Sequence, residues 1–250
     1  MEGVRPEELV ELGSGSMAKA NMLLATREGV RSLRRFVPFD VNPTVVQAAA
    51  ERLAESRPQI EVHGVVGDFE RHLGNLAPFS RRGMVVFFGS TIGNLDPRAR
   101  IGLLKSVRRL LGGAGRLLLG VDLVKDIRAL ELAYNDPSGV TAAFNRNILL
   151  VMNNALGADF QPDAFSHRSF YNQEQSRIEM HLTADSPQVV TIPGAGVRVN
   201  IAAGESIWTE SSYKFTRESV SAMLAEAGLS LEAWKTDGRD RFALLLVAPA

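Results

Sequence analysis

The sequence has no cysteine among its 250 residues, which excludes a disulfide framework, a thiolate metal site, a thiol nucleophile and a redox pair. No segment reaches the roughly 20 consecutive apolar residues of a membrane span, and the opening Met1-Glu2-Gly3-Val4-Arg5-Pro6-Glu7-Glu8 lacks the apolar core of a signal peptide. A cytoplasmic protein without a membrane partner is expected. Charge of one sign is missing too, because 28 basic residues balance 28 acidic ones, so no overall field draws the chain to nucleic acid. Arg34-Arg35 and Arg81-Arg82 are read as solvated pairs. Histidine is scarce, and His63, His72, His167 and His181 lack the close pairing of metal ligands, so no metal is predicted. A small molecule becomes the expected partner.

What the sequence does have is a rhythm. With 45% hydrophobic residues it can bury one substantial core. Short apolar runs recur at Leu9–Leu12, Arg35–Phe39, Ile60–Val66, Met84–Phe88 and Leu117–Val121, separated by amphipathic stretches at Ala18–Thr26, Pro43–Ser56 and Arg98–Leu111. This alternation predicts an α/β fold with a doubly wound, mostly parallel sheet covered by crossover helices. Asn42-Pro43 and Asp96-Pro97 read as N-caps followed by proline at the first helical position. After Asp122 the rhythm changes to helical stretches through Ala133 and from Gly139 to Leu156, then to strands such as Ile178–Leu182, which predicts an inserted α+β subdomain. A helix at Glu218–Ala227, closed by Gly228, and a strand at Arg241–Val247 return the chain to the main sheet. The expected division is a cofactor-binding core over 1–125, an inserted substrate-binding subdomain over 126–212, and a returning helix and strand over 213–250.

Ligands of open parallel sheets bind beyond the carboxyl ends of the strands, and the first strand runs into Glu11-Leu12-Gly13-Ser14-Gly15-Ser16. Gly13 and Gly15 allow close ligand approach, and Asp40, at the end of the second strand, can accept both hydroxyls of a ribose. The third glycine of the dinucleotide fingerprint is absent, since Ala18 and Lys19 follow, so an adenosyl cofactor without phosphates is favoured over NAD. Asp68-Phe69, after the third run, offers a carboxylate for the adenine amine and an aromatic face for the ring. Each feature alone also has a plain structural reading as packing, helix cap or core. Their order along the chain matches the layout of class I, Rossmann-like methyltransferases, which use S-adenosylmethionine.

The segments Glu11–Ser16, Val65–Phe69, Phe88-Gly89-Ser90-Thr91-Ile92-Gly93-Asn94-Leu95, Asp122–Asp126, Gly139–Asn145, Gly157–Phe160 and Thr209-Glu210-Ser211-Ser212 resemble the histidine-specific methyltransferase family, which forms hercynine for ergothioneine biosynthesis. The resemblance implies that Glu11, Gly13, Gly15, Lys19, Asp40, Asp68 and Phe69 meet the cofactor and that the methyl acceptor lies against Gly89 and Asn94. It further implies that Asn94 and Tyr134 hold the amino-acid head group as the catalytic pair, that Met180 lines the side-chain pocket, and that Glu210 and Ser212 read the two imidazole nitrogens. Members of the family carry several dozen residues ahead of the glycine turn, forming a segment that covers the substrate, whereas here the first strand follows almost directly on Met1.

The expected reaction is methylation of the α-amine of histidine, up to the trimethylated product, with Asn94 aiming the amine and most of the acceleration coming from positioning. A carboxylate and a hydroxyl together satisfy a ring with one donor and one acceptor nitrogen. Three rivals stand beside it: methylation of another aromatic amino acid or amine, a nicotinamide-dependent dehydrogenase, and a cofactor-binding protein without turnover. Sequence leaves the degree of methylation and the oligomeric state open.

Overall fold

The computed structural model of the chain describes residues 5–15, 22–25, 32–80 and 82–250. The chain forms two compact units, Met1–Leu123 with Phe215–Ala250, and Val124–Lys214.

The first unit is built on β1 (Glu8–Leu12), β2 (Arg35–Asp40), β3 (Glu61–Val62), β4 (Val65–Val66), β5 (Gly83–Phe87) and β6 (Arg116–Asp122). Between them lie α1 (Pro43–Ser56), the single turn α2 (Phe69–His72) and α3 (Pro97–Leu111). β1 and β5 are buried along their whole length, which is why they read as continuous apolar runs rather than alternating ones. Asn42 accepts a hydrogen bond from the Thr44 N–H and Asp96 accepts from those of Arg98 and Ala99, with proline first in each helix, as the sequence predicts. α3 then buries Leu103, Leu104, Val107, Leu110 and Leu111 along one face, each contributing about 1.5–3 kcal/mol by leaving water. The predicted helix over Ala18–Thr26 lies mostly outside the described residues.

Two expectations are corrected. The run Ile60–Val66 is two short strands, not one, because the chain leaves β2 at His63-Gly64 and rejoins it at Val65, opposite Phe39. The return to the sheet contains a strand that the sequence reading missed, β12 (Leu229–Thr236), which follows α6 (Arg217–Glu226) and pairs antiparallel with β13 (Phe242–Pro249). Its residues alternate and are only half-buried, a weaker signal than a core strand. The sheet order is β12-β13-β6-β5-β1-β2-β3, parallel except where β13 meets β6 and β12. The chain winds outward from β1 in both directions, so the switch point lies between β1 and β5.

The second unit contains α4 (Ile127–Tyr134), α5 (Val140–Leu156), β7 (Phe165–Asn172), β8 (Arg177–Ala184), β9 (Gln188–Ile192), β10 (Val197–Ile201) and β11 (Ser206–Tyr213). β11, β8 and β7 form an antiparallel sheet in that order, and β9 pairs with β10. One face of the larger sheet supplies Ile178 and Met180 to pack with Leu130 of α4, and Leu182 and Ala184 to pack with Leu149 of α5. The other face is held by Glu179, whose buried carboxylate lies 2.7 Å from Arg177, 3.0 Å from Asn172 and 3.2 Å from His181. The His181 ring stacks with Phe170 on one side and Trp208 on the other.

Candidate active site

In the first unit, the loops after β1, β2, β4 and β5 carry the predicted cofactor residues. Gly13 and Gly15 have φ of +70° and +47°, a left-handed backbone that costs a side chain and suits glycine. A Cβ at Gly13 would meet no atom of the described residues within 4 Å. The turn is tied to β2 by the Gly13 N–H, which donates to the Phe39 carbonyl at 2.8 Å, and by the Gly15 N–H, which reaches the Asp40 carboxylate at 3.3 Å. Asp40 also accepts from the Asn42 N–H at 3.0 Å, and with one backbone donor on each oxygen it keeps lone pairs for two hydroxyls. Glu11 is buried one turn before the glycines, where its neighbour Ser14 donates to its carbonyl. Lys19 lies outside the described residues.

Asp68 caps α2 by accepting from the Glu70 N–H at 2.9 Å, and Phe69 sets its ring edge against Phe87 at 5.3 Å. The cap and packing roles weighed from sequence are therefore real, and both side chains still keep exposed surface. Glu70 beside them is pushed up from its ordinary value by burial and by the neighbouring Asp68 and Asp96. A glycine turn, a carboxylate at the end of β2 and an acid beside an aromatic ring are groups that suit an adenosyl cofactor.

The turn after β5 is more constrained. Gly89 and Ser90 are both left-handed, with φ of +77° and +61°, and such backbone is costly for a serine. Ser90 is held there from two sides: its hydroxyl accepts from the Asp122 N–H at 2.9 Å, and its carbonyl accepts from the Gly93 N–H at 2.7 Å. This clamp locks the ends of β5 and β6 together and presents Gly89 and Asn94 to solvent. Asn94 does not cap α3, since Asp96 does so, and its side chain stays exposed.

In the second unit, Tyr134, Met180, Glu210 and Ser212 come together on the sheet face beneath α4. A bulge in β11 makes this possible. In a regular strand Trp208, Glu210 and Ser212 would share a face; the register shift between Trp208 and Glu210 puts Trp208 opposite His181 and Glu210 opposite Met180, on the other side. Ser212 then lies opposite Ile178, on the same face as Glu210. Burial pushes the Glu210 carboxyl above its ordinary value, and the Lys214 ammonium opposes that shift. Met180 is 3% exposed and belongs to the cluster with Leu130 and Ile178, so it is core as well as pocket candidate.

The Tyr134 hydroxyl donates to the Ser212 hydroxyl at 2.9 Å. Lys214 donates to both, at 2.8 Å to Ser212 and 2.9 Å to Tyr134, and its ammonium sits 4.8 Å from the centre of the Tyr134 ring. Sequence reasoning missed Lys214 and the Ser90 clamp. Period-two spacing from Glu210 through Ser212 was the signal for Lys214, which falls on the same face. The end of α4 is anchored by His167, whose Nε2 donates to the Tyr134 carbonyl at 2.8 Å while its Nδ1 accepts from Asn145 at 2.9 Å.

No group of acidic, histidine or cysteine side chains suited to a metal occurs among the described residues, and no described helix is long and apolar enough to cross a membrane.

Comparison with known proteins adds relatives. The family of histidine-specific, SAM-dependent methyltransferases matches residues 1–249. The chain is 48% identical over 240 residues to the histidine N-alpha-methyltransferase of Mycolicibacterium smegmatis, covering 96% of this chain and 74% of that protein. It is 46% identical over 244 residues to the Mycobacterium tuberculosis protein of the same name, covering 98% and 76%. Among solved structures, the CcbJ methyltransferase from Streptomyces caelestis shares the fold with a TM-score of 0.52 at 15% identity, over 99% of this chain and 84% of that one.

Proposed function

The chain belongs to the family of histidine-specific, SAM-dependent methyltransferases, and we propose that it methylates the α-amino group of L-histidine, up to the trimethylated hercynine, on the route to ergothioneine. The observation that carries this reading is the pairing of an acceptor and a hydroxyl, Glu210 and Ser212, on one sheet face with Met180 between apolar neighbours. An apolar pocket cannot satisfy two ring nitrogens, whereas a carboxylate and a hydroxyl can.

When bound, S-adenosylmethionine would supply an electrophilic methyl group to the unprotonated amine, with neutral S-adenosylhomocysteine as the leaving group. The Gly13–Gly15 turn, Asp40, Asp68 and Phe69 hold the adenosyl group, with Glu11 and Lys19 assigned to the same role. Gly89 forms the floor against which the acceptor rests, and Asn94 aims the amine through its exposed carboxamide. Tyr134 is assigned to the substrate together with Asn94. Its hydroxyl, bonded to Ser212 and Lys214, links this role to the ring-reading pair. The work belongs to the cytoplasm, where a free amino acid is the small-molecule partner.

Calorimetric titration of histidine, then tryptophan, with S-adenosylhomocysteine present, followed by mass spectrometry of a turnover mixture, tests the reading. Histidine binding and products heavier by one to three methyl groups are expected. Cofactor binding with no response to histidine refutes the substrate, and methylation of tryptophan in its place moves the chain to another aromatic amine.

A further inference from the structure

We propose that Lys214 is a specificity-determining positioning residue, which fixes Ser212 as a hydrogen-bond donor so that the site accepts only a ring with one N–H and one bare nitrogen, in a single tautomer. The proposal rests on the reading that Glu210 and Ser212 meet the ring.

A hydroxyl has two acceptor lone pairs and one hydrogen, and an ammonium donates but never accepts. Ser212 receives one hydrogen bond from Lys214 at 2.8 Å and a second from Tyr134 at 2.9 Å, so both lone pairs are occupied. Lys214 narrows the choice by donating to both oxygens, which turns both hydroxyl hydrogens away from it; between the two hydroxyls the more acidic phenol donates, to Ser212. Only the Ser212 hydrogen is left to reach a ligand.

Glu210, two residues earlier on the same face, is an acceptor when ionised. The pair therefore has opposite polarity. A ring with N–H at Glu210 and a bare nitrogen at Ser212 satisfies both groups. The other tautomer sets hydrogen against hydrogen at Ser212 and lone pair against lone pair at Glu210. An imidazolium fails at Ser212, and a pyrrole or indole leaves the hydroxyl hydrogen unmet in a buried place. Burial explains why this role calls for an ammonium. Lys214 is 3% exposed, and a methionine of similar length would pack there without the cost of burying a charge. Besides its attraction for the Glu210 carboxylate, the ammonium adds direction for the Ser212 hydrogen.

The test is a double-mutant cycle on the full chain, with Lys214→Met, Ser212→Ala and the pair, using calorimetric titration with S-adenosylhomocysteine present. The ligands are L-histidine and 3-pyrrolylalanine, which keeps an N–H but lacks the bare nitrogen. The unmodified chain should prefer histidine by about a hundredfold or more. Lys214→Met should cut that preference by about tenfold, and Ser212→Ala by a similar factor. The double variant should lose no more than Ser212→Ala alone, because Lys214 acts through Ser212. Tyr134→Phe removes the other donor to Ser212 and should also lower the preference, which keeps the test intact if Lys214→Met does not fold. An unchanged preference in folded Lys214→Met or Tyr134→Phe overturns the proposal, as does an equal loss from Lys214→Met in the Ser212→Ala background. Failure of the unmodified chain to bind histidine refutes the underlying reading and the proposal together.

Discussion

The two units build their candidate sites from different material. In the first, the candidates are mostly backbone at strand ends: left-handed glycines and N–H groups tied to neighbouring strands, with acids at Asp40 and Asp68 after β2 and β4. In the second, it is done by side chains from elements far apart in sequence; Tyr134 and Ser212 are 78 residues apart and 2.9 Å apart in space. A backbone cradle suits a cofactor whose shape never changes. A side-chain network can be tuned to one amino acid and retuned by a few substitutions, which is where members of one family can diverge.

That division of labour can be broken most sharply at Glu210. Glu210→Ala should weaken histidine binding by about a hundredfold or more, leaving a ring N–H unmet, while S-adenosylhomocysteine affinity stays within about twofold. An equal loss of both would show the units are not separate in function. Next is the stability of the second unit. Glu179→Ala leaves Arg177 without its carboxylate in a nearly closed site, with only the Tyr213 hydroxyl and the neighbouring rings, and should cost about 3 kcal/mol, read by urea unfolding. Burial pushes the Glu179 carboxyl up, but hydrogen bonds from Arg177, His181 and Asn172 outweigh it and hold the value below its ordinary 4.5. The ionised group therefore adds stability that is present above pH 4.5 and lost as the pH falls through the lowered value. The gap between Glu179→Ala and the unmodified chain should narrow in acid, and a gap that is constant with pH counts against the ion cluster.

Asp40→Ala tests the cradle, and should weaken S-adenosylhomocysteine by about tenfold through loss of charged hydrogen bonds to the ribose. Unfolding of the second unit should not change. The smallest effect is expected for Glu210→Gln. Because burial raises the Glu210 carboxyl, keeping it ionised at neutral pH costs folding free energy, a cost absent below the ordinary value of 4.5. The glutamine variant should melt slightly higher than the unmodified chain at pH 7 and no higher at pH 4. A lower melting point at pH 7 would show that Lys214 outweighs burial there.

Much of the first unit is legible in the sequence because its signals are local. Buried parallel strands are continuous apolar runs, Asn42-Pro43 and Asp96-Pro97 announce their helices, and Gly13 and Gly15 stand where a left-handed turn is needed. The sequence by itself determined the mostly parallel α/β sheet and, through the resemblance of short motifs spread from Glu11 to Ser212, its methyltransferase family and cofactor class, since each motif is a local pattern. Only the tertiary structure decided that Ile60–Val66 is two strands, that β12 exists, and that Ser90 is clamped from β6. It also decided that a bulge turns Trp208 away from Glu210, and that Lys214 joins Tyr134 to Ser212. The physical reason is common to all of these. Pairing register and hydrogen-bond direction are set by partners brought in from distant segments, and a local pattern carries no information about what will arrive opposite it.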